Sequence, residues 1–369
     1  MKIVISGFYG LGNTGDEAIL ESIIDNLRDQ LDTPDITVFS LSPEETARTH
    51  SVKSVYRGWR HDFKGKVKAL KEADLLVSGG GGLLQDTYPT RFIFGPLPYY
   101  LLIVFLAKLC STKVMFFSQG IGPVNSTWGK ILMKIFANMA DFVTVRDEFS
   151  KSLLHELGVT RPKTVVTSDI VFAFKAKDDN ACIESLQLES RDNLVAVSVR
   201  PWFEKVKQFE QVAYIVDKLV EDRGVTPVFV PMEGHHDINA SEKVLAQMKH
   251  ADKCHMLAGN FTPNQYLNFI GQCKLTIGMR LHALIFSTLK GVPHIGLSYD
   301  KKVESLLKRS GMWEFSAVLE EINEQELTNN ALHLLDNHEK YVDIVKDNSE
   351  AMRTEAVRNV ELLEEKFAK

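Results

Sequence analysis

Arg280 and His282 stand two residues apart in the run MRLHALIFS, where a strand-like segment gives way to a helical one. Imidazole titrates near neutral pH, so a histidine at a helix start beside a guanidinium is placed to deliver a proton next to a bound anion. Two more arginines hold similar positions: Arg146 in VTVRDE and Arg200 in VSVRPW. Guanidinium groups at three strand ends can clamp carboxylate or phosphate through paired hydrogen bonds. The plainer alternative is an ion pair with a nearby carboxylate such as Asp147. Tyr299, Lys301 and Lys302 follow the last clear strand and are candidates for the same anion, or simply a solvated helix start. His235 and His236 in MEGHHD are further candidates beside the same strand ends.

Glycine runs supply the other half of the chemistry. Three strands of the first half lead into GFYGLGNTGDE, GGGGLLQD and QGIGP. Glycines let successive backbone N–H groups point at an anion, and a following helix N-terminus adds partial positive charge. The run Gly79 to Gly82 reads as a close approach of backbone to a ligand rather than as a tight turn alone. Within these runs Asn13, Gly80, Gly81, Asp86 and Gln119 are the candidate substrate contacts, and Asp16 and Glu17 the candidate bases.

The first run contains a formal GxGxxG at Gly10, Gly12 and Gly15, the pattern of a dinucleotide site. That site also needs a carboxylate closing the second strand. Here the strand ends Phe39-Ser40-Leu41-Ser42, with no carboxylate before Glu44. Asp16 and Glu17 would also repel a pyrophosphate at the helix start. An NAD enzyme is therefore disfavoured.

These residues must be positioned by alternating strands and helices, and the sequence shows that alternation. Strands are expected near Ile3–Ser6, Ile36–Phe39, Leu75–Ser78, Val114–Ser118, Phe142–Val145 and Thr164–Val166. A second series is expected near Leu194–Val199, Val228–Val230, Leu275–Ile277 and His294–Leu297. Apolar runs without strict alternation predict parallel strands buried on both faces. The expected fold class is α/β, with two facing Rossmann-like domains. The first spans 1–175 and the second 193–335, with a polar linker at 176–192. A C-terminal helix at 336–369 should cross back to the first domain, with Val342, Val345, Met352, Val357, Val360 and Leu363 along one stripe.

Bulk properties exclude several classes. A chain of 369 residues exceeds what one core usually supports. Its formal net charge of -5 gives no global attraction for nucleic acid, so none is expected as a partner. Cys110, Cys182, Cys254 and Cys273 are scattered, with no metal spacing, which suits a reducing, cytoplasmic setting and predicts no metal. The apolar stretch Leu101 to Ala107 is far short of the ~20 residues that span a bilayer. A basic stretch, Lys53, Arg57, Arg60, Lys64, Lys66 and Lys68 with Tyr56 and Trp59, is a solvated face or a peripheral membrane contact.

Taken together and in order, GFYGLGNTGDEAIL, GGGGLLQD, FSQGIGP, VTVRDEFS, TSDIVF, VSVRPW and MRLHALIFS resemble the polysaccharide pyruvyl transferase family. The resemblance runs from residue 7 to residue 287 and is nearest to bacterial members that modify a secondary cell wall polymer. It implies the architecture of two-domain GT-B glycosyltransferases, phosphoenolpyruvate as donor, a sugar acceptor, and neither metal nor organic cofactor. By resemblance, Arg146, Arg280, Leu281 and His282 match positions tied to donor binding and catalysis. It further implies an N-acetylmannosamine unit of a lipid-diphosphate-linked precursor as acceptor, with a 4,6-ketal product that anchors surface-layer proteins.

On this reading Arg146 and Arg280, with Arg200 assisting, clamp the donor. His282 protonates its methylene carbon, and Asp16 or Glu17 acts as base. A nucleotide-sugar-dependent GT-B glycosyltransferase is the competing enzyme class, with Glu233 as its candidate ribose carboxylate. A non-catalytic anion- or sugar-binding protein is the third reading.

Overall fold

The computed structural model describes residues 1–58, 61–86, 95–188, 190–202 and 206–368. They form two compact units, residues 1–175 with 352–369, and residues 176–351.

The first unit opens with β1 (Lys2–Ser6), α1 (Thr14–Gln30), β2 (Asp35–Ser40), α2 (Pro43–His50) and β3 (Lys53–Tyr56). It continues with α3 (Phe63–Glu72), β4 (Leu75–Leu84), α4 (Pro96–Leu109) and β5 (Lys113–Ile121). It then adds α5 (Thr127–Phe136), β6 (Phe142–Val145), α6 (Glu148–Glu156) and β7 (Lys163–Val166). The strands pair in parallel in the order β3-β2-β1-β4-β5-β6-β7. Strand order reverses between β1 and β4, where a doubly wound sheet opens a crevice at its carboxyl ends. Helix α1 starts there because the Asn13 side chain accepts from the N–H groups of Gly15 (3.0 Å) and Asp16 (3.3 Å). Ile19, Ile23 and Leu27 then bury one face of the helix.

The glycine runs differ from expectation. Gly79–Gly82 lie inside β4 and Gln119–Ile121 inside β5, so neither is a turn beyond its strand. Their pairing is irregular instead, with register shifts between Gly81 and Leu84 and between Phe116 and Gln119. Such shifts bend strand ends and re-aim side chains.

The second unit runs α7 (Ala181–Ser185), β8 (Leu194–Ser198), α8 (Val206–Arg223), β9 (Thr226–Phe229) and α9 (Gly234–Leu245). Next come β10 (His255–Met256), α10 (Pro263–Ile270), β11 (Leu275–Gly278), α11 (Leu281–Lys290) and β12 (His294–Ser298). It closes with α12 (Lys301–Ser310), β13 (Ala317–Val318), α13 (Glu324–Asp336) and α14 (His338–Phe367). The parallel order is β10-β9-β8-β11-β12-β13, reversing between β8 and β11. The segment read as a linker, 176–192, is packed rather than loose. It groups with the second unit, buries Cys182 and Ile183, and fastens to α10 where Lys177 N–H donates to Asn264 Oδ1 at 2.8 Å.

Helix α14 carries the expected stripe, with Val345, Met352, Val360 and Leu363 buried. Its residues from Met352 group with the first unit, where Asn359 accepts from Thr167 Oγ1 at 2.9 Å. Among the described residues no helix is long and apolar enough to cross a membrane.

The basic stretch is not one solvated face. Arg57 is buried, donates to Tyr100 Oη at 2.8 Å, and lies over the rings of Phe8, Tyr99 and Tyr100. Lys66 is buried with its ammonium on the carbonyls of Tyr56, Gly58 and His61. Lys53, Lys64 and Lys68 are exposed, while Trp59 and Arg60 lie outside the described residues.

Candidate functional site

In the first unit the candidates sit at the carboxyl ends of β1, β4, β5 and β6. The Glu17 carboxylate accepts from Gly10 N–H at 2.8 Å, and the Leu11 and Gly12 N–H groups also favour its charged form. Burial pushes its pKa up and those backbone bonds pull it partly back, leaving it raised. The first glycine loop thus wraps the protein's own carboxylate. This corrects two expectations: the loop is not an open phosphate cradle, and Glu17 is committed to holding it.

Gly80 and Gly81 have φ of 70° and 71°. A Cβ at Gly80 would lie 2.1 Å from Ile19 Cγ2, and one at Gly81 3.2 Å from Ile19 Cδ1 and 3.3 Å from Asp16 Oδ1. These glycines let α1 approach β4, so the close neighbour is a helix, not the ligand expected. They also bring Asp16 over the end of β4.

Gln119 is fully buried, and its Nε2 donates to the carbonyls of Gly81 (2.7 Å) and Gly120 (3.2 Å). Its Oε1 is buried with no hydrogen-bond partner among the described residues. The preceding Ser118 has φ 49°, a left-handed conformation costing on the order of 1–3 kcal/mol outside glycine. Three hydrogen bonds hold it: its N–H to Thr144 Oγ1, its Oγ to the Ser168 carbonyl, and the Ile170 N–H to that Oγ. Sequence reasoning missed Ser118, because nothing in its neighbours marks a strained strand residue.

Arg146 is buried, its guanidinium lying over Gly120, where a Cβ would sit 2.5 Å from Cζ. Its Nη1 donates to Asp169 Oδ2 at 3.1 Å, and Nε is 3.6 Å from Asp147 Oδ2. The ion-pair alternative is therefore realised for Arg146, with Asp169 supplied by TSDIVF. Asp86 is likewise engaged, accepting from Asn125 N–H (2.7 Å), Ser126 N–H (2.9 Å) and Ser126 Oγ (2.6 Å). It fastens the start of α5, which accounts for its carboxylate without a substrate.

In the second unit the candidates gather at the ends of β8, β11 and β12. Arg280 caps α11, with Leu281 buried as the first helical residue and His282 half-buried as the second. The Arg280 Nε donates to Asp237 Oδ2 at 2.9 Å, Nη2 donates to the other Asp237 oxygen, and Nη2 is 2.5 Å from Glu233 Oε2. Two carboxylates already oppose this cation, so its reading as a donor clamp becomes that of a held ion pair. Burial works against the charge, but Asp237 and Glu233 outweigh it and raise the Arg280 pKa. His235 and His236 are exposed on the first turn of α9.

Arg200 is different. Its Nη1 donates to Tyr299 Oη at 2.8 Å, and its guanidinium lies 5.4 Å from the Trp202 ring centroid and 5.0 Å from that of Tyr299. Its Nε is buried with no hydrogen-bond partner among the described residues. The Trp202 and Tyr299 rings are 4.4 Å apart, and Lys302 Nζ lies 5.7 Å from the Tyr299 centroid and 3.3 Å from Asp300 Oδ2. Burial would raise the Tyr299 phenol, but Lys302, Arg200 and Arg280, with the bond from Arg200, bring it below its ordinary value. Lys301 points elsewhere, exposed and paired with Glu304 at 2.7 Å. The helical phase of α12 thus favours Lys302 over Lys301.

The family model described as polysaccharide pyruvyl transferase matches residues 13–301. The amylovoran biosynthesis protein AmsJ of Erwinia amylovora is 22% identical, over 92% of this chain and 93% of its own. Among solved structures, a Listeria monocytogenes protein assigned as a UDP-N-acetylglucosamine 2-epimerase superposes with TM-score 0.71 at 15% identity. That match covers 100% of this chain and 96% of the other. The UDP-GlcNAc 2-epimerase of Neisseria meningitidis, solved with UDP-GlcNAc, gives TM-score 0.65 at 11% identity over 99% and 100% of the two chains.

Proposed function

The chain belongs to the polysaccharide pyruvyl transferase family, and from that premise we propose that it moves pyruvate from phosphoenolpyruvate onto two hydroxyls of a sugar. The product is a 4,6-ketal, and phosphate is released. The observation that carries the donor assignment is Arg200. Among the described residues its polar partner is a phenol, and its buried Nε lacks a partner. Such a guanidinium N–H wants an anion, since a buried unsatisfied donor is costly. Lys302, with its Nζ 5.7 Å from the Tyr299 ring centroid, is the second cation for a donor that carries both carboxylate and phosphate.

His282, in the first turn of α11, delivers a proton to the methylene carbon of the donor. One sugar hydroxyl oxygen bonds to C2 and gives up its proton. The bond from C2 to the phosphate oxygen breaks, phosphate departs, and the second hydroxyl oxygen closes the ketal. Its proton passes to a base or to the leaving phosphate. With Glu17 committed to the glycine loop, Asp16 is the candidate base. Neither metal nor organic cofactor enters this scheme.

The acceptor we propose is an N-acetylmannosamine unit of a lipid-diphosphate-linked wall polymer precursor, modified at the cytoplasmic side for surface-layer anchoring. The AmsJ relative supports a polysaccharide acceptor in the coarser sense. A nucleotide-sugar donor is the rival, since a fold relative was solved with UDP-GlcNAc. Against it, Glu233, the candidate ribose carboxylate, is held by Arg280.

Calorimetric titration of phosphoenolpyruvate and UDP-GlcNAc tests the reading. Expected is binding of phosphoenolpyruvate alone, weakened at least about tenfold in Arg200→Ala by loss of a charge-assisted bond. His282→Ala should retain donor affinity and lose about 10²–10⁴ in phosphate release with acceptor present. Binding of UDP-GlcNAc without phosphoenolpyruvate would overturn the assignment.

A further inference from the structure

We propose that the outer face of the α3–α4–α5 layer of the first unit is a contact surface for an anionic lipid bilayer. Helix α5 shows the pattern most plainly. Trp128, Ile131 and Ile135 are 42%, 44% and 50% exposed, and their spacing of three and four places them on one stripe. The adjoining side, with Gly129, Leu132 and Met133, is buried in the core. The helix is thus apolar on two faces, and its charged residues are Lys130 and Lys134, both exposed.

The neighbouring helices continue the surface. Helix α4 packs beside α5, with Phe105 edge-on to Phe136 at 5.5 Å and Leu109 66% exposed. Helix α3, which packs on α4, exposes Phe63, Lys64, Lys68 and Lys71 around a groove of about 350 Å³.

Charge identifies the occupant. The three helices expose five lysines, Lys64, Lys68, Lys71, Lys130 and Lys134, against one carboxylate, Glu72, in a chain with 48 acidic and 43 basic residues. Basic residues interleaved with exposed aromatic and aliphatic side chains suit phosphate headgroups above an acyl layer. A second copy of this face would set lysine against lysine across a two-fold axis, which disfavours self-association. This surface is independent of the donor and acceptor sites.

The test is sedimentation of the full chain with vesicles of phosphatidylglycerol and phosphatidylcholine, against phosphatidylcholine alone. Expected is binding to the anionic vesicles that weakens with added salt. The pairs Ile131→Ser with Ile135→Ser, and Lys130→Glu with Lys134→Glu, should each reduce partitioning at least tenfold. Circular dichroism, thermal unfolding and phosphate release with a soluble acceptor should stay unchanged. No binding to anionic vesicles at low salt overturns the proposal, as does full binding by both double variants. So does a dimer in analytical ultracentrifugation that the isoleucine pair dissociates, which would make this face a contact between copies. Because the vesicle assay needs neither phosphoenolpyruvate nor sugar, its failure is distinct from failure of the pyruvyl transfer reading.

Discussion

The Arg280 guanidinium is bound side-on by the carboxylate of Asp237, with Nε 2.9 Å from Oδ2, and Asp237 is wholly buried. The N–H groups of Met232 and Glu233 reach the same oxygen at 3.0 Å. The pair therefore joins the ends of β9 and β11 inside the second unit. Breaking a buried pair from one side leaves the other charge uncompensated, at a cost of about 3–5 kcal/mol. Arg280→Ala is expected to lose that much stability in urea unfolding. Arg200→Ala, which removes a half-buried cation from a phenol, should lose less than about 1 kcal/mol. Equal small losses would return Arg280 to the role of ligand clamp.

Gly80 is needed for a helix. Its φ of 70° strains any L-residue, and an added methyl would lie 2.1 Å from Ile19 Cγ2 on buried, β-branched Ile19. Gly80→Ala should destabilise by at least about 2 kcal/mol, combining left-handed strain with overpacking. Gly82 is the control. A Cβ there meets nothing nearer than Gln85 Nε2 at 3.6 Å, so Gly82→Ala should change stability by less than about 1 kcal/mol. Chemical unfolding midpoints compare the two, and similar losses would refute the packing account.

The parallel α/β architecture was legible because apolar runs such as Phe142–Val145 are buried throughout, which a parallel sheet covered by helices requires. The two-residue strands β10 and β13 left no pattern, being too short to show a period. Segment 176–192 read as a linker because its polar residues serve α10 as hydrogen-bond partners, which composition does not reveal. The candidate residues were legible as positions but not as pairs. Arg280 finds Asp237 43 residues away and Arg146 finds Asp169 23 residues away, contacts that sheet order alone brings about. Glu17 showed its dipole-favourable place at a helix start, but its binding of the preceding loop depends on how Gly10 and Gly12 turn.

His294 should make the second unit acid-sensitive. It is fully buried, with Nδ1 3.0 Å from the Val292 carbonyl and Nε2 3.0 Å from Ser310 Oγ. Burial pushes its pKa down to about 4 against a slight opposing effect of the Val292 carbonyl. The unfolded chain therefore takes up its proton first, near pH 6.5, while the folded chain does not. Its stabilising contribution is full above that pH and is lost as pH falls toward 4. Between about pH 7.5 and pH 5 the loss should be about 2 kcal/mol. His294→Gln, which keeps polar atoms on the ring's partners, should flatten this limb when unfolding is measured across that range. An unchanged slope would assign the acid sensitivity to other groups.

The Tyr299 phenol should ionise below the ordinary tyrosine value. Burial opposes its phenolate, yet Lys302, Arg200 and Arg280 favour it more strongly and lower its pKa. Tyr9, Tyr99, Tyr100 and Tyr266 are instead raised, chiefly by burial. Ultraviolet difference titration should show a tyrosinate below the usual value of about 10, and Tyr299→Phe should abolish it. Lys302→Met removes the largest of the lowering charges, so the same transition should move to higher pH. The native state sheds this proton before the unfolded chain does, so stability contributed by Tyr299 rises with pH through its folded pKa. If a donor anion binds between Arg200 and Lys302, saturating phosphoenolpyruvate should offset those cations and raise the Tyr299 transition. A transition unmoved by both the lysine change and the donor would separate Tyr299 from the proposed donor site.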